Sequence, residues 1–211
     1  FFPMALPQWR PSDSCAIPGD GYTITTKITA GNYPNGTTWL IGNEVGLTAW
    51  RQNTQQWEPA DYAQRYHRCY ELLKGINPLD SSIAARNFKV AFGGVLPSCV
   101  GCYTDSAVDG VDWVRKVRLS YKTQFSADMI VDVYNIHLYG LTSDLVNGVI
   151  AFRAAMANEW GAKEKPLIVT EIGLQGGSAW AASVSHLNYM MDYMNSAADP
   201  ATGNSADGNR L

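Results

Sequence analysis

Two glutamates close two short apolar runs. Glu44 ends Thr37-Thr38-Trp39-Leu40-Ile41-Gly42-Asn43-Glu44, and Glu171 ends Leu167-Ile168-Val169-Thr170-Glu171. Each run is β-rich and uncharged until its last residue. A carboxylate at the C-terminal tip of a buried parallel strand is where an α/β barrel keeps its chemistry. Two such carboxylates suit acid/base and nucleophilic work on a glycosidic bond.

The elements around these runs alternate strand and helix. Phe1 to Leu6 reads as the end of a strand, and 7–36 as a long Pro/Gly/Asp/Thr-rich loop with a short helix near 23–30. Residues 37–44 are the first clear strand, and 45–58 a loop carrying Trp50 and Trp57. Tyr62, Tyr66, Cys69, Tyr70 and Leu73 recur at helical spacing, predicting a helix over about 60–75 with Pro59 in its first turn. Strands are predicted at 88–95, 129–139 and 167–172. Helices are predicted at 108–124 (Trp113, Val117, Tyr121 inward), 143–160 (Leu145, Val149, Phe152, Met156, Trp160) and 178–196 (Trp180, Val184, Leu187, Met191, Met194). Arg115, Lys116, Arg118 and Lys122 read as a solvated face. Repeated strand–helix–strand units imply parallel strands.

Five strands in 211 residues leave two architectures. Eight units at this spacing would need a chain well above roughly 300 residues, so a barrel reading makes this chain part of one. The rival is a complete, doubly wound five-stranded sheet, which calls for a Gly-rich phosphate turn. Neither GxGxxG nor GxxxxGK[ST] occurs. The opening Phe1-Phe2-Pro3-Met4 and the ending Asn209-Arg210-Leu211 both read as cut, so targeting signals are uninformative.

Composition narrows the partners. Hydrophobic residues make up 46% and the formal net charge is -3, which favours neither nucleic acid nor an anionic membrane. No apolar run reaches transmembrane length. Seven Trp and eleven Tyr supply flat faces that could pack the core or stack on sugars. Cys99-Val100-Gly101-Cys102 lacks the further ligands that zinc needs and reads as a disulfide or as plain thiols. Cys69 reads as a buried thiol. The pairing among Cys15, Cys69, Cys99 and Cys102 is open. His67 and His186 read as helical, with no ligand partners at i+3 or i+4, which argues against metal.

The motifs carry a more specific resemblance. Trp39-Leu40-Ile41-Gly42-Asn43-Glu44 resembles the strand-4 Asn-Glu segment of the clan A glycoside hydrolases, which are (β/α)8 barrels. Ile136-His137-Leu138-Tyr139 resembles their strand-6 His-x-Tyr segment, and Ile168-Val169-Thr170-Glu171-Ile172-Gly173 their strand-7 nucleophile segment. The order and spacing agree, so the chain would cover about strands 3 to 7, with strands 1, 2 and 8 absent. Within the clan the run is similar to glycosyl hydrolase catalytic-core proteins related to cell-wall hydrolases.

The resemblance implies a single partial-barrel catalytic domain over 1–211. Glu171 would be the nucleophile, ionised and held by a hydroxyl such as Tyr139. Glu44 would be the acid/base, which must hold its proton at rest. Asn43 would bind the sugar 2-hydroxyl, and His137 a sugar hydroxyl or a carboxylate. Strands 4 and 7 face each other across a barrel, which predicts the short carboxyl spacing of a retaining enzyme. The implied substrate is a poly- or oligosaccharide, a β-linked glycan by analogy, handled by a secreted monomer without cofactor or metal.

Each residue also has a plainer reading. Either glutamate could be an exposed loop acid, and Asn43 a cap. His137 could be a satisfied core histidine and Tyr139 simple packing. Trp50, Trp57 and Trp180 could line a cleft, but packing suits each of them better. Glu159 and Glu164 read as solvated charge. A non-catalytic carbohydrate-binding relative is the alternative function. Without its remaining strands the sheet would have two open edges, so this segment alone is expected to be poorly stable and nearly inactive.

Overall fold

The computed structural model describes residues 33–47, 57–77, 79–103, 105–140 and 142–173. The expected strand at 1–6, the helices near 23–30 and 178–196, Trp50, Trp180, Cys15 and His186 lie outside them.

Eight elements alternate in the described chain: β1 (Thr38–Ile41), α1 (Pro59–Leu73), α2 (Ser81–Ala84), β2 (Lys89–Phe92), α3 (Gly110–Phe125), β3 (Tyr134–Tyr139), α4 (Thr142–Asn158) and β4 (Leu167–Gly173). β1 pairs with β2 in parallel, Thr38 opposite Lys89 through Ile41 opposite Phe92. β3 pairs with β4 in parallel. Parallel bridges at Ala91–Val133 and Val95–Ile136 join the two pairs. His137 N donates to Val95 O at 2.7 Å across that seam. Four parallel strands thus lie side by side in chain order, and among the described residues they form no closed barrel. The molecule is an α/β protein.

The predicted helices form where the apolar stripes demand. On α1, Tyr62, Tyr66, Cys69 and Leu73 are buried, and Pro59 occupies the first turn, where its missing N–H costs nothing. Tyr70 is only half-buried. On α3 the expected Trp113, Val117 and Tyr121 face inward, and on α4 Leu145, Val149, Phe152 and Met156 do so. The short helix α2 lacks a stripe. Asp80 marks its start by accepting from Ser82 N at 2.9 Å and Ile83 N at 3.2 Å, a cap worth about 1 kcal/mol.

The core sits between α1, α3 and β2. The Tyr62 ring lies 4.9 Å from Phe92 and 5.5 Å from Trp113, all fully buried. Tyr62 also ties two strand tips together. Its hydroxyl donates to Ile41 O at 2.8 Å and accepts from Gly93 N at 2.9 Å. Burial pushes that phenol far above its ordinary range. At the other end of the strands, Asp132 Oδ2 accepts from Val90 N at 2.8 Å and pairs with Lys74 Nζ at 2.6 Å.

Three expectations are corrected. Cys69 is buried but disulfide-bonded, not a thiol. Arg118 is half-buried, not solvated. It donates to Tyr134 Oη at 2.8 Å and to the Trp160 and Met129 carbonyls, while burial holds the Tyr134 phenol up at about 12. Glu159 is exposed, as expected of a solvated charge, and takes two of the Arg115 nitrogens, Nε at 2.6 Å and Nη2 at 2.5 Å, and that guanidinium holds its carboxyl below the usual range. His67 does have an i+4 partner, Glu71 at 3.4 Å, and meets Tyr121 Oη at 2.7 Å.

Candidate active site

Glu44 sits three residues beyond β1. Gly42 (φ +87°) turns the chain off the strand, and Glu44 itself adopts a left-handed backbone at φ +46°. A glutamate held there costs on the order of 1–3 kcal/mol, a strain that surrounding packing must over-determine. The packing is visible. Gly46 (φ +83°) lies so close to the Trp113 ring that a Cβ would overlap it, and Leu47 bridges to Tyr103. Tyr103 in turn accepts from Leu96 N at 2.9 Å and donates to Leu96 O at 3.2 Å, anchoring the loop after β2. The turn thereby points the Glu44 carboxyl into the protein at 1% exposure, and leaves Asn43 exposed.

β3 supplies the next row. Tyr134, Ile136 and Leu138 alternate with Asn135, His137 and Tyr139, so the three polar-bearing residues share one face of the sheet. Asn135 is fully buried and His137 is 1% exposed, while Tyr139 reaches the opening at 37%. Gly94, at the tip of β2, lies against the imidazole so closely that a Cβ would overlap His137 Nε2.

β4 completes the site through an irregularity. The register runs Ile136 opposite Val169, then His137 opposite Glu171. Thr170 is the extra residue of a β-bulge, which bends the strand and re-aims side chains. In a regular strand Thr170 and Glu171 would face opposite sides. Here both reach the same imidazole. Thr170 Oγ1 lies 3.1 Å from His137 Nε2, and Glu171 Oε2 lies 3.6 Å from His137 Nδ1.

The polar groups form one connected set. His137 Nδ1 is 3.3 Å from Glu44 Oε1. Thr170 Oγ1 donates to Asn135 Oδ1 at 2.8 Å. Tyr139 Oη donates to Glu171 Oε2 at 2.6 Å. Glu44, His137 and Glu171 each place one polar atom within 4.8 Å of the other two. Three such donors could surround a divalent cation, and among the described residues they are the group that could. Glu44 Oε1, Glu171 Oε2 and both His137 nitrogens each have a polar contact with one another, with Tyr139 or with Thr170. Asn135 Nδ2, by contrast, is buried with no hydrogen-bond partner among the described residues, at a cost of about 1–3 kcal/mol.

A cavity of about 120 Å³ opens beside this set, lined by Leu96 to Cys99, His137 to Gly140 and Leu145. The Cys99–Cys102 disulfide closes the loop forming its wall. Trp57 is not at the cleft. It is 7% exposed, packs against Tyr62, and lies under the Arg65 guanidinium.

The structure therefore brings together Glu44, Glu171, His137 and Tyr139, and leaves Asn43 exposed in the same turn as Glu44. Asn135 and Thr170 were not singled out from the sequence. The alternation Tyr-Asn-Ile-His-Leu-Tyr did place Asn135 on the His137 face, whereas nothing local announces the bulge that turns Thr170 inward.

No family model matches the sequence, and no curated protein matches it. Among solved structures, the crystal structure of a GH128 (subgroup IV) endo-β-1,3-glucanase from Lentinula edodes is similar, with a TM-score of 0.50 and 18% identity. The likeness covers 89% of this chain, which spans 58% of that structure. At this identity it is a likeness of fold alone, and it agrees with the α/β architecture described above.

Proposed function

We propose that the protein is a retaining O-glycoside hydrolase that cleaves a β-linked glucan, with Glu171 as nucleophile and Glu44 as acid/base. The observation that carries this reading is the carboxylate pair. Two glutamates at the C-terminal ends of parallel strands bring oxygens within 4.8 Å of each other. That is close to the roughly 5–5.5 Å of retaining enzymes and short of the roughly 6.5–9.5 Å that an inverting enzyme needs for its water. Four parallel strands in chain order, without an order reversal, support a (β/α)8 barrel for the whole protein. The solved relative's β-1,3-glucanase activity supports a β-1,3-glucan as substrate.

The two carboxylates have different surroundings. Glu171 has 30% side-chain exposure and accepts the Tyr139 hydroxyl at 2.6 Å. Glu44 is buried, with its Oε1 3.3 Å from His137 Nδ1. In the first step Glu171 attacks the anomeric carbon, the glycosidic C–O bond breaks, and the Glu44 proton passes to the leaving oxygen. In the second step Glu44 takes a proton from water, and the hydroxide displaces Glu171. Asn43, exposed in the same turn as Glu44, is assigned the 2-hydroxyl, and the cavity beside Tyr139 offers room for a neighbouring sugar. A monomeric, secreted catalytic domain suits the disulfides at Cys99–Cys102 and Cys69, which persist in oxidising compartments. No metal or cofactor is needed for these steps.

Incubating the intact protein with a β-1,3-glucan tests the reading. New reducing ends should appear, with the β-anomer detected first by proton NMR. An α-anomer first would mean inversion and would remove the nucleophile's role from Glu171.

A further inference from the structure

We propose that the loop from Leu96 to Tyr103 walls a subsite for one sugar unit beside the carboxylate pair, and that the Cys99–Cys102 disulfide holds that wall in shape. The inference rests on the glycosidase reading above and extends it to the length of glucan the cleft prefers.

The cavity adjoins the reacting residues. Tyr139, whose hydroxyl donates to Glu171 Oε2 at 2.6 Å, is part of its lining, and so is His137. The loop contributes Leu96 to Cys99. The volume of about 120 Å³ is well below the roughly 300–1,000 Å³ of a pocket for a larger organic ligand. It suits a single ring, not a run of several. Leu96, Pro97 and Leu138 stand there beside Ser98, His137 and Tyr139. A sugar offers the matching mixture, C–H faces beside hydroxyls.

The wall has two differently supported halves. Leu96 is fixed by the buried Tyr103 hydroxyl, which accepts from its N at 2.9 Å and donates to its O at 3.2 Å. Pro97 O accepts from Gly110 N at 3.2 Å. Ser98 is backed by α4, where a Cβ on Gly148 would overlap its Oγ. Beyond Ser98 the support changes. Val100 is 70% exposed, and Gly101 (φ +82°) has open space where a Cβ would stand. The backbone bonds there stay within the loop, from Cys99 N to Leu96 O at 3.4 Å and from Val100 N to Ser98 O at 3.2 Å. The disulfide ties Cys99, in the cavity lining, to Cys102, the residue before the anchored Tyr103. Opening it frees the tip, and a sugar binding against that wall must then order it again, which weakens binding.

The test reads affinity against chain length. The Cys99→Ser/Cys102→Ser double variant of the intact protein is assayed on β-1,3-gluco-oligosaccharides of increasing length, starting from the disaccharide. In the parent, kcat/KM should climb with length, and one step of that climb comes from the cavity. In the variant this step should shrink by about tenfold through KM, the scale of one lost hydrogen bond. On the disaccharide, kcat and KM should each change less than about twofold, because the carboxylate pair is untouched. The unaltered protein should show the same shift when dithiothreitol gives two electrons and two protons to the Cys99–Cys102 bond and closes to its own disulfide. Alkylation and mass spectrometry identify conditions in which the buried Cys69 bond stays shut, and reoxidation should restore the lost step. This arm decides the matter if the double variant does not fold. A loss equal at every length, or none at any length, overturns the subsite. A parent protein that hydrolyses none of the oligosaccharides instead overturns the glycosidase reading on which the subsite depends.

Discussion

Replacing Glu171 by Ala is expected to lower glucan turnover by about 10⁴-fold or more, the scale on which a covalent nucleophile is lost, with glucan affinity changed less than about threefold. The structure says why the loss should be chemical and not structural. The Glu171 side chain is 30% exposed, so truncation leaves an opening to water instead of a sealed void. Its partner Tyr139 is 37% exposed, so water can replace the lost acceptor. Added azide should restore part of the turnover by occupying the vacated space, giving a glycosyl azide of inverted configuration. Unchanged turnover in Glu171→Ala would sink the mechanism. Lost binding together with lost turnover would point to a structural role for the residue.

Glu44→Gln should show the second-largest effect, with a different shape. Glu44 is 1% exposed, so an isosteric amide is the clean substitution. Alanine would leave a buried void and an unpartnered His137 Nδ1, costing on the order of 1–3 kcal/mol for the nitrogen alone. With glutamine, turnover of glucan should fall by about 10²–10⁴-fold, the range of general acid catalysis. On a dinitrophenyl glycoside the first step should survive while the second, which needs a base, slows. A rapid burst of dinitrophenol equal to the enzyme concentration, followed by slow turnover, is the expected trace. Azide should speed the slow phase and give the azide of retained configuration, opposite to Glu171→Ala. The same azide configuration in both variants would show that the two carboxylates do not have the assigned roles.

The legible part of this site was whatever follows from period and residue type. Helical stripes such as Tyr62, Tyr66, Cys69 and Leu73 are dictated by burial and appear where expected. A period of two on β3 puts His137 and Tyr139 on one face, and a strand-end glutamate is visible as a charge after an apolar run. Departures from period were not legible. β1 stops at Ile41, and the turn at Gly42 to Leu47 carries Glu44 inward. That path depends on Trp113 and Tyr103, which are distant in sequence. The bulge at Thr170 depends on pairing with β3. Arg118 looked solvated because its charge hides three partners supplied by Met129, Tyr134 and Trp160. The bond made by Cys69 depends on tertiary proximity, which spacing does not encode.

The central claim is a covalent glycosyl-enzyme on Glu171, and trapping tests it most directly. A dinitrophenyl 2-deoxy-2-fluoro-β-glucoside, or its β-1,3-linked disaccharide homologue, slows both steps but keeps the first accessible through its leaving group. Incubation followed by proteolysis and mass spectrometry should find one fluorosugar, linked through an ester in the peptide bearing Glu171. Turnover of glucan with no adduct, or an adduct on another residue, would contradict the account.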